Sequence, residues 1–293
     1  MKLLVYSLGL KGLSVVKGLF ESAEKFSIFC VIGQDSAIMD DYSAELVAYC
    51  EANSICYSFR VSDCTANDYD YDYVFAVGWR WIISDVQEEK LIVFHDSLLP
   101  RYRGFAPLVN ALLNRESEIG VSVLFGASEY DCGDIIDQIC MSVNYPTSIG
   151  SELDRISNLY SELAVSVLTK LAKGRLVGVP QDERAATYSL WRDDRDYKIN
   201  WNSAASEIEH FISCVGFPYL GATSELNGKV VRIVRARAVE DVGIENRFPG
   251  KVIFVRDGLP VVVCGKGLLM IEDARDCGGE ALLPLKFFRS RFL

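Results

Sequence analysis

A single stretch of the chain joins a continuously apolar run to a polar turn, and it reads Leu91-Ile92-Val93-Phe94-His95-Asp96-Ser97-Leu98-Leu99-Pro100-Arg101-Tyr102-Arg103-Gly104. The run from Leu91 to Phe94 does not alternate polar with apolar residues, which is typical of a strand buried on both faces of a parallel sheet. His95 follows this predicted strand directly. Because ligands of open α/β sheets bind at the carboxyl edge of the strands, the pattern places His95 where a ligand would bind.

The segments before this stretch alternate short apolar runs with helical periodicity, which indicates β-α-β units around a mostly parallel sheet. Strands are predicted at 2–7, 26–32, 55–59 and 73–77, and helices after Gly12 and at 43–53. Two further strands at 121–125 and 135–143 and a long amphipathic helix from Ser151 follow from the same periodicities. The sequence therefore predicts an α/β fold, with a Rossmann-like, mostly parallel sheet in a domain of residues 1–180.

A polar connector follows this region and reads Gln181-Asp182-Glu183-Arg184, which indicates a hinge between domains. Beyond it, a short helix is predicted at 203–214 and strands at 229–239, 251–255, 259–264 and 268–271. Asn227-Gly228 and Asp257-Gly258 are typical of tight turns between such strands. We therefore expect a smaller, β-rich C-terminal domain over residues 181–293.

The composition of the 293-residue chain, with 50% hydrophobic and 24% charged residues, is that of a globular protein and excludes wholesale disorder. The formal net charge of −10 argues against a nucleic-acid partner, because such affinity depends on cation–phosphate contacts. No apolar run approaches the ~20 residues that cross a bilayer. Nine cysteines without CxxC spacing indicate the reduced thiols of a cytoplasmic protein. With two histidines in the chain, few ligands are available for a His/Cys metal site.

Two polar groups could perform chemistry, and each also has a plain structural explanation. His95 could exchange a proton near neutral pH, although a single histidine after a strand is often structural. Asp131 and Asp134 flank Gly133, which permits a tight turn close to a ligand, but an ordinary acidic turn has the same composition. A carboxylate beside His95 would orient the imidazole and stabilise its protonated form.

Taken together, the two segments resemble the family of formyltransferases that use 10-formyltetrahydrofolate, which includes methionyl-tRNA, glycinamide ribonucleotide and sugar-nucleotide formyltransferases. The family pattern Asn-x-His-x-Ser-Leu-Leu-Pro-x-x-Arg-Gly is matched from His95 to Gly104, and its Asp-x-Gly turn is matched by Asp131-Cys132-Gly133. The similarity extends through 120–123, 187–189, 199–201 and 217–222. The chain is most similar to the sugar-nucleotide N-formyltransferases.

The resemblance implies that a formyl group moves from 10-formyltetrahydrofolate to an amine. Such a step needs a donor for the developing oxyanion and a proton shuttle between the two nitrogens. By this resemblance His95 polarises the formyl group and moves protons, while Asp131 holds His95 and assists the shuttle. The residues implied to bind the folate are Trp79, Arg80, Trp81, Ile82, Ser97, Leu98, Leu99 and Pro100, and those implied to bind the acceptor are Arg101, Arg103 and Asn110. Core packing of the tryptophans and plain surface charge of the arginines remain alternatives.

One position departs from the family pattern, because Val93 stands where the family has its catalytic asparagine. A valine side chain cannot donate a hydrogen bond, and the loss of one oxyanion donor can cost ~10²–10³ in rate. We expect another group to substitute, with Ser97, Asn110 or a backbone N–H as candidates. A slower reaction and a non-catalytic relative are the alternatives.

Three hypotheses on function follow from the resemblance. The first is N-formylation of a nucleotide-linked amino sugar in polysaccharide biosynthesis, which the acidic charge favours over a tRNA substrate. The second is methionyl-tRNA formylation, and the third is a folate- or sugar-binding relative without activity. The expected partner is a small nucleotide sugar, with no membrane and no nucleic acid, and a homodimer is left open.

Overall fold

A computed structural model describes residues 1–22, 26–60, 66–174, 176–285 and 287–293, and the chain divides into two compact units. The first unit comprises residues 1–144 and 151–191, and the second comprises 145–150 and 192–293. The polar connector that begins at Gln181 therefore belongs to the first unit, where the sequence led us to expect a hinge at the start of the C-terminal domain. The contacts of Gln181 and Glu183 described below explain this difference.

The first unit is built on a seven-stranded sheet with the order β3-β2-β1-β4-β5-β7-β8. Its strands are β1 (Lys2–Ser7), β2 (Ser27–Ile32), β3 (Cys56–Phe59), β4 (Tyr73–Val77), β5 (Leu91–His95), β7 (Glu118–Phe125) and β8 (Ile135–Ser142). The first five run parallel, whereas β7 pairs antiparallel with β5 and with β8. This confirms the α/β fold with a mostly parallel sheet, and it places the end of β5 beside the antiparallel strand β7.

Helices connect these strands. They are α1 (Gly9–Glu21), α2 (Ser43–Ala52), α3 (Pro107–Leu113) and α4 (Ile149–Ala172), with 3₁₀ turns at Ala66–Asp68, Glu88–Lys90 and Glu183–Ala185. Helix α1 buries Leu13, Val16 and Leu19, which are the apolar positions that recur at helical spacing in the sequence. Two short strands, β6 (Arg103–Gly104) and β9 (Tyr188–Ser189), pair in parallel apart from the main sheet.

The second unit is an antiparallel sheet of five strands with the order β10-β11-β14-β13-β12. The strands are β10 (Ala222–Leu226), β11 (Lys229–Val239), β12 (Val252–Arg256), β13 (Leu259–Val263) and β14 (Leu268–Asp276), and helix α5 (Ala205–Cys214) contacts β11 and β14. Tight turns at Asn227-Gly228 and Asp257-Gly258 join β10 to β11 and β12 to β13, as their sequences predict. The β-rich character of this region is thereby confirmed.

Some of the smaller sequence predictions concern single residues. Cys30, Cys50, Cys214 and Cys264 are buried, whereas Cys56, Cys140 and Cys277 are exposed and Cys64 lies outside the described residues. Within the described ranges, no helix has the length and apolar character that spanning a membrane requires. In the same ranges, no group of three or more His, Cys, Asp or Glu side chains is arranged to hold a metal ion.

Candidate active site

His95 is the last residue of β5 and lies at the carboxyl edge of the parallel part of the sheet. Its side chain is 7% exposed. The ring Nε2 lies 2.8 Å from the carbonyl oxygen of Tyr102. Because a carbonyl oxygen can only accept, Nε2–H is the donor of this hydrogen bond. The second ring nitrogen, Nδ1, is therefore the one left to face a reactant or a carboxylate.

Asp131 provides that carboxylate, from the turn between β7 and β8. Its Oδ1 lies 3.5 Å from Nδ1 of His95, and its Oδ2 accepts a 2.8 Å hydrogen bond from the backbone N–H of Gly104. The backbone of Asp131 has a φ of 57°, in the left-handed region that aspartate tolerates better than most residues. The two predicted catalytic residues, 36 positions apart in the sequence, thus meet as a largely buried pair.

Two glycines of the sequence motifs allow this approach. Gly133 lies so close to β7 that a Cβ there would come within 1.9 Å of the carbonyl oxygen of Phe125. Gly104 has a φ of 98°, and a Cβ there would lie 2.6 Å from the carbonyl oxygen of Ser189. Side chains at either position would push apart the two loops that bring Asp131 to His95. The motif glycines are therefore explained by backbone contact.

The turn after His95 is held by side chains from the two neighbouring antiparallel strands. Ser122 of β7 is fully buried, and its hydroxyl donates to the carbonyl oxygen of Ser97 (2.6 Å) and accepts from the N–H of Leu99 (3.0 Å). Gln138 of β8 donates to this hydroxyl (2.7 Å) and to the carbonyl oxygen of Leu99 (2.9 Å). These bonds fix the path of Ser97-Leu98-Leu99-Pro100 beside the pair of His95 and Asp131.

A second charged group lies behind His95. The carboxylate of Asp96 is 14% exposed and 3.1 Å from the ammonium of Lys11, and it accepts a 3.0 Å hydrogen bond from the hydroxyl of Tyr160. Burial alone raises the pKa of Asp96, but the charges of Lys11 and His95 together with the hydrogen bonds outweigh it and hold the pKa below its usual value. Asp96 is therefore a carboxylate that stays ionised at neutral pH next to the imidazole.

The segment Trp79-Arg80-Trp81-Ile82 follows β4, at the same carboxyl edge as His95. Trp79 is half-buried and packs edge-to-face on Tyr6 and on Trp81, with ring centroids 4.9 and 4.8 Å apart. Its indole Nε1–H is buried without a hydrogen-bond partner among the described residues, so it is a donor available to a ligand. Arg80 forms an ion pair with Asp35, and Ile82 is 81% exposed.

The predicted acceptor-binding residues lie in different environments. Arg101 is exposed and pairs with Glu116 at 2.5 Å, which raises the pKa of its guanidinium. Arg103 is fully buried, and its guanidinium donates to Gln181 and Glu183. This cation is enclosed and already bonded, so the predicted contact of Arg103 with an anionic substrate stays a prediction and would require these bonds to be exchanged. Asn110 on α3 donates 2.9 Å to the carbonyl oxygen of Ala106.

Val93 lies two residues before His95 on β5, so the two side chains point to the same face of the sheet. Of the groups expected to replace the missing donor, Ser97 donates its hydroxyl proton to the carbonyl oxygen of Arg101 at 2.7 Å, and Asn110 is bonded within its helix. Neither amide nor hydroxyl is free to turn toward a ligand without breaking these bonds. A backbone N–H is the remaining candidate for an oxyanion donor.

Several residues of this site were missed by the sequence analysis. These residues come from five separate segments of the chain and reach the turns of His95 and Asp131 only through the fold: Lys11, Tyr160, Ser122, Gln138 and Gln181. Lys11 stands directly before Gly12, after which a helix is predicted, and Gln181 begins the polar connector, but neither position indicates a contact with the turn after His95. None of the five has a local signal that links it to His95.

Comparison with known proteins identifies the family. Residues 62–168 match the family model for formyl transferase, and residues 193–291 match the model for the formyl transferase C-terminal domain. The methionyl-tRNA formyltransferase of Nitrosomonas europaea is 31% identical over 197 residues, which cover 67% of this chain and 60% of that protein. This chain therefore matches about three fifths of that relative's length.

Two solved structures share the fold. HypX from Aquifex aeolicus in complex with tetrahydrofolic acid has a TM-score of 0.65 at 18% identity, over 96% of this chain and 45% of that chain. The N-formyltransferase from Helicobacter canadensis, in complex with folinic acid and dTDP-3-aminofucose, has a TM-score of 0.64 at 16% identity, over 92% of this chain and 98% of that chain. With residues 62–168 and 193–291 matched by the two family models, and with His95 and Asp131 paired at the sheet edge, this protein belongs to the formyl transferase family.

Proposed function

We propose that this chain is an N-formyltransferase that transfers the formyl group of 10-formyltetrahydrofolate to the amine of a nucleotide-linked amino sugar. The observation on which this depends is the pair of His95 Nδ1 and Asp131 Oδ1, 3.5 Å apart at the carboxyl edge of the sheet. When bound, the folate supplies an electrophilic formyl carbon. The buried indole N–H of Trp79, which has no partner among the residues that the structure describes, fits a ring with hydrogen-bond acceptors, such as a pterin.

Different groups of the site perform the proton transfer and the stabilisation of negative charge. His95 is held by its Nε2–H bond to Tyr102, so Nδ1 and the carboxylate of Asp131 are the groups that can receive a proton from the attacking amine and return it to the leaving nitrogen. Asp131 remains in place because Gly104 donates to its other oxygen. With Val93 in the strand, stabilisation of the developing negative charge depends on backbone N–H groups, which are effective donors when fixed in advance.

The sugar-nucleotide acceptor is supported by the overall charge and by the comparison with Helicobacter canadensis. The protein of that organism was solved with dTDP-3-aminofucose, and the alignment covers 98% of it, so the two chains have a similar extent. A net charge of −10 disfavours a polynucleotide acceptor. Exposed Arg101, above the ring of Tyr102, is the remaining cation at the turn for a diphosphate, although it would have to exchange its bond to Glu116.

Methionyl-tRNA is the second candidate acceptor, and two observations favour it. The curated relative described above is a methionyl-tRNA formyltransferase. In addition, residues 192–293 contain 15 Lys and Arg against 14 Asp and Glu, so the acidity of the chain lies in its first unit. Against this acceptor, Arg235 and Arg237 on β11 both bond to Glu272 and are thereby partly neutralised.

The deciding experiment offers the full chain 10-formyltetrahydrofolate together with either a panel of nucleotide-linked amino sugars or charged initiator tRNA, and follows formylation of each amine by mass spectrometry. We expect one or more amino sugars to gain a formyl group and the tRNA to remain unmodified. Formylation of the tRNA alone would replace the first acceptor by the second. If folate binds and no amine is modified, the chain is a non-catalytic relative.

Val93→Asn, tested in the same assay, measures the cost of the missing side-chain donor. Asparagine at this position faces the same side of the sheet as His95 and adds an N–H donor. Since one such donor is worth ~10²–10³ in rate, we expect kcat to increase by about tenfold or more. An unchanged or lower kcat would mean that a backbone donor already fills this position.

A further inference from the structure

A segment outside both family-model matches touches the catalytic turn, and we call residues 181–189 the strap. The match to the first family model ends at residue 168, and the match to the second begins at residue 193. Within the strap, Thr187 accepts from the N–H groups of Tyr102 and Arg103 through its hydroxyl (2.9 Å) and its carbonyl oxygen (2.8 Å), and Ser189 accepts from the N–H of Phe105 (3.1 Å). The strap therefore lies along the backbone from Tyr102 to Phe105, which includes the carbonyl group that His95 bonds to.

Gln181 begins the strap and connects it to the other catalytic residue. Its Nε2 donates two hydrogen bonds, both 2.8 Å long, to the carbonyl oxygens of Asp131 and Gly133. One side-chain amide thus closes the turn from both sides of Cys132. This matters because Asp131 has the left-handed backbone conformation, which is not its lowest-energy state and needs support from its surroundings.

The other end of the Gln181 amide is fixed as well. Its Oε1 accepts two hydrogen bonds from the buried guanidinium of Arg103, at 2.8 Å and 3.1 Å. The same guanidinium donates two bonds of 2.7 Å and 2.8 Å to the carboxylate of Glu183. Because the acceptor is held by Arg103, the Nε2 group of Gln181 can point only toward the Asp131 turn, and its rotamer is determined.

We propose that Gln181 is a positioning residue, which orients the Asp131 carboxylate toward His95 by donating both N–H groups to the turn that contains Asp131. The inference extends the proposed formyl transfer and rests on it for its catalytic consequence. Asp131 Oδ1 is 3.5 Å from Nδ1 of His95, at the outer limit of useful contact, so a small displacement of the turn would separate the pair.

Gln181→Glu tests this role because it removes only the donor function. The glutamate keeps two oxygens to accept from Arg103, so the strap stays anchored, but it has no N–H for the carbonyl oxygens of Asp131 and Gly133 and repels them. We expect kcat to fall by ~10², the cost of misplacing a catalytic group by about 1 Å, while KM for the folate stays close to wild type and the protein remains folded at the assay temperature. Arg184→Ala is the matched control, because it breaks an exposed ion pair with Asp182 on the same strap and should leave kcat unchanged.

A second measurement does not depend on turnover. The chain has two histidines, so ring ¹⁵N NMR resonances can be assigned to His95 and to His210, which lies in the second unit. In Gln181→Glu we expect the ring resonances of His95 to shift and those of His210 to stay in place. Should Gln181→Glu fail to fold, Gln181→Met also removes the donors but loses the acceptor for Arg103 as well, so its readout is the shift of the His95 ring resonances and not the melting temperature.

The two measurements separate failure of this inference from failure of the proposed function. If wild-type protein formylates no amine, the His95 resonances still report whether Gln181 orients Asp131. Wild-type kcat in Gln181→Glu together with unmoved His95 resonances would overturn the inference and leave Gln181 with the role of anchoring the strap. If the wild-type chain shows no turnover and the His95 ring resonances shift in Gln181→Glu, the positioning role is supported and the formyl transfer is contradicted.

Discussion

At the scale of single residues, His95 has one nitrogen bonded to Tyr102 and the other facing Asp131. His95→Asn removes the proton-exchanging group and retains a side chain of hydrogen-bonding character. We expect kcat to fall by ~10²–10⁴, the usual contribution of a positioned acid or base, with an unchanged circular dichroism spectrum. His210→Asn is the control, since the other histidine lies on α5 in the second unit and should not affect turnover. Near-normal activity of His95→Asn would remove the imidazole from the mechanism.

The ion pair of Lys11 with Asp96 predicts a pH-dependent effect on stability. The pKa of Asp96 is lowered in the folded protein, so its ionised form stabilises the fold above the usual aspartate pKa of about 3.9, and this contribution is lost as the pH falls. In Lys11→Met the carboxylate keeps its burial and loses its cation. We expect the free energy of unfolding to drop by about 3–5 kcal/mol at neutral pH, and the difference from wild type to shrink below about pH 4.

Chemical denaturation of both proteins between neutral pH and about pH 3 measures this difference. Lys17→Met is the control on the same helix. The side chain of Lys17 is exposed, and its ammonium lies above the ring of Tyr49. Its effect should be below about 1 kcal/mol. A loss of stability in Lys11→Met that does not vary with pH would mean that packing of the lysine stem, and not its charge, is what stabilises α1.

The proximity of His95 and Asp131 could be predicted from the sequence because each residue belongs to a local pattern. His95 and Asp131 both stand next to turn residues whose spacing repeats within the family. Arg103 belongs to the same pattern, but the pattern does not show that its guanidinium is buried and bonded to Gln181 and Glu183. Lys11 and Asp96 lie 85 positions apart, and the sequence offers no local signal that links them.

At the scale of the elements, the turn after β5 is stabilised by the buried hydroxyl of Ser122 on β7 and by the side-chain amide of Gln138 on β8. Ser122→Ala leaves the carbonyl oxygen of Ser97 and the N–H of Leu99 without this partner. Unsatisfied buried groups of this kind cost about 1–3 kcal/mol, and we expect the free energy of unfolding to fall by that amount, with a weaker affinity for the folate. Ser142→Ala, at the exposed end of β8, is the control and should be neutral. A variant as stable as wild type would show that water replaces the hydroxyl.

Most strands were predictable to within about five residues, but β6, β9 and β10 were not predicted, and the strand directions were less predictable than the bounds. β1, β4 and β11 have the predicted bounds, because apolar runs and flanking turn residues are local signals. The antiparallel pairing of β7 with β5 has no such signal, and the sequence alone could not place Ser122 opposite His95 in register. The helix α3 was also missed, since it is short and begins with Pro107 directly after a loop.

At the scale of the whole molecule, charge is divided unequally between the two units. The segment 145–150 has no charged residue, so the first unit contains 15 Lys and Arg against 26 Asp and Glu, and the second contains 15 against 14. The overall acidity that argued against a nucleic-acid partner is thus a property of one unit. The composition of the entire chain could not show this, because it averages the two.

This division makes salt dependence the measurement that distinguishes the acceptors. Binding to tRNA through 6–10 phosphate contacts would weaken by about 10³–10⁵ between 50 and 200 mM salt. A nucleotide sugar has a single diphosphate and should show a much shallower dependence. For the sugar acceptor we expect KM to rise by less than about tenfold between 50 and 200 mM salt. A KM that depends on salt as steeply as polynucleotide binding does would favour the tRNA. The kcat at saturating acceptor serves as the control and should stay constant.

The strap at residues 181–189 has a practical consequence for recombinant enzymes. A chimera joined where the first family model ends, at residue 168, would exclude Gln181 and the bonds that it makes to the Asp131 turn. Such a hybrid would retain every motif residue and still have a disarranged acid–base pair. A transplanted first unit should therefore extend through Trp191, and directed evolution of acceptor preference could treat the strap as a separate target from the motifs.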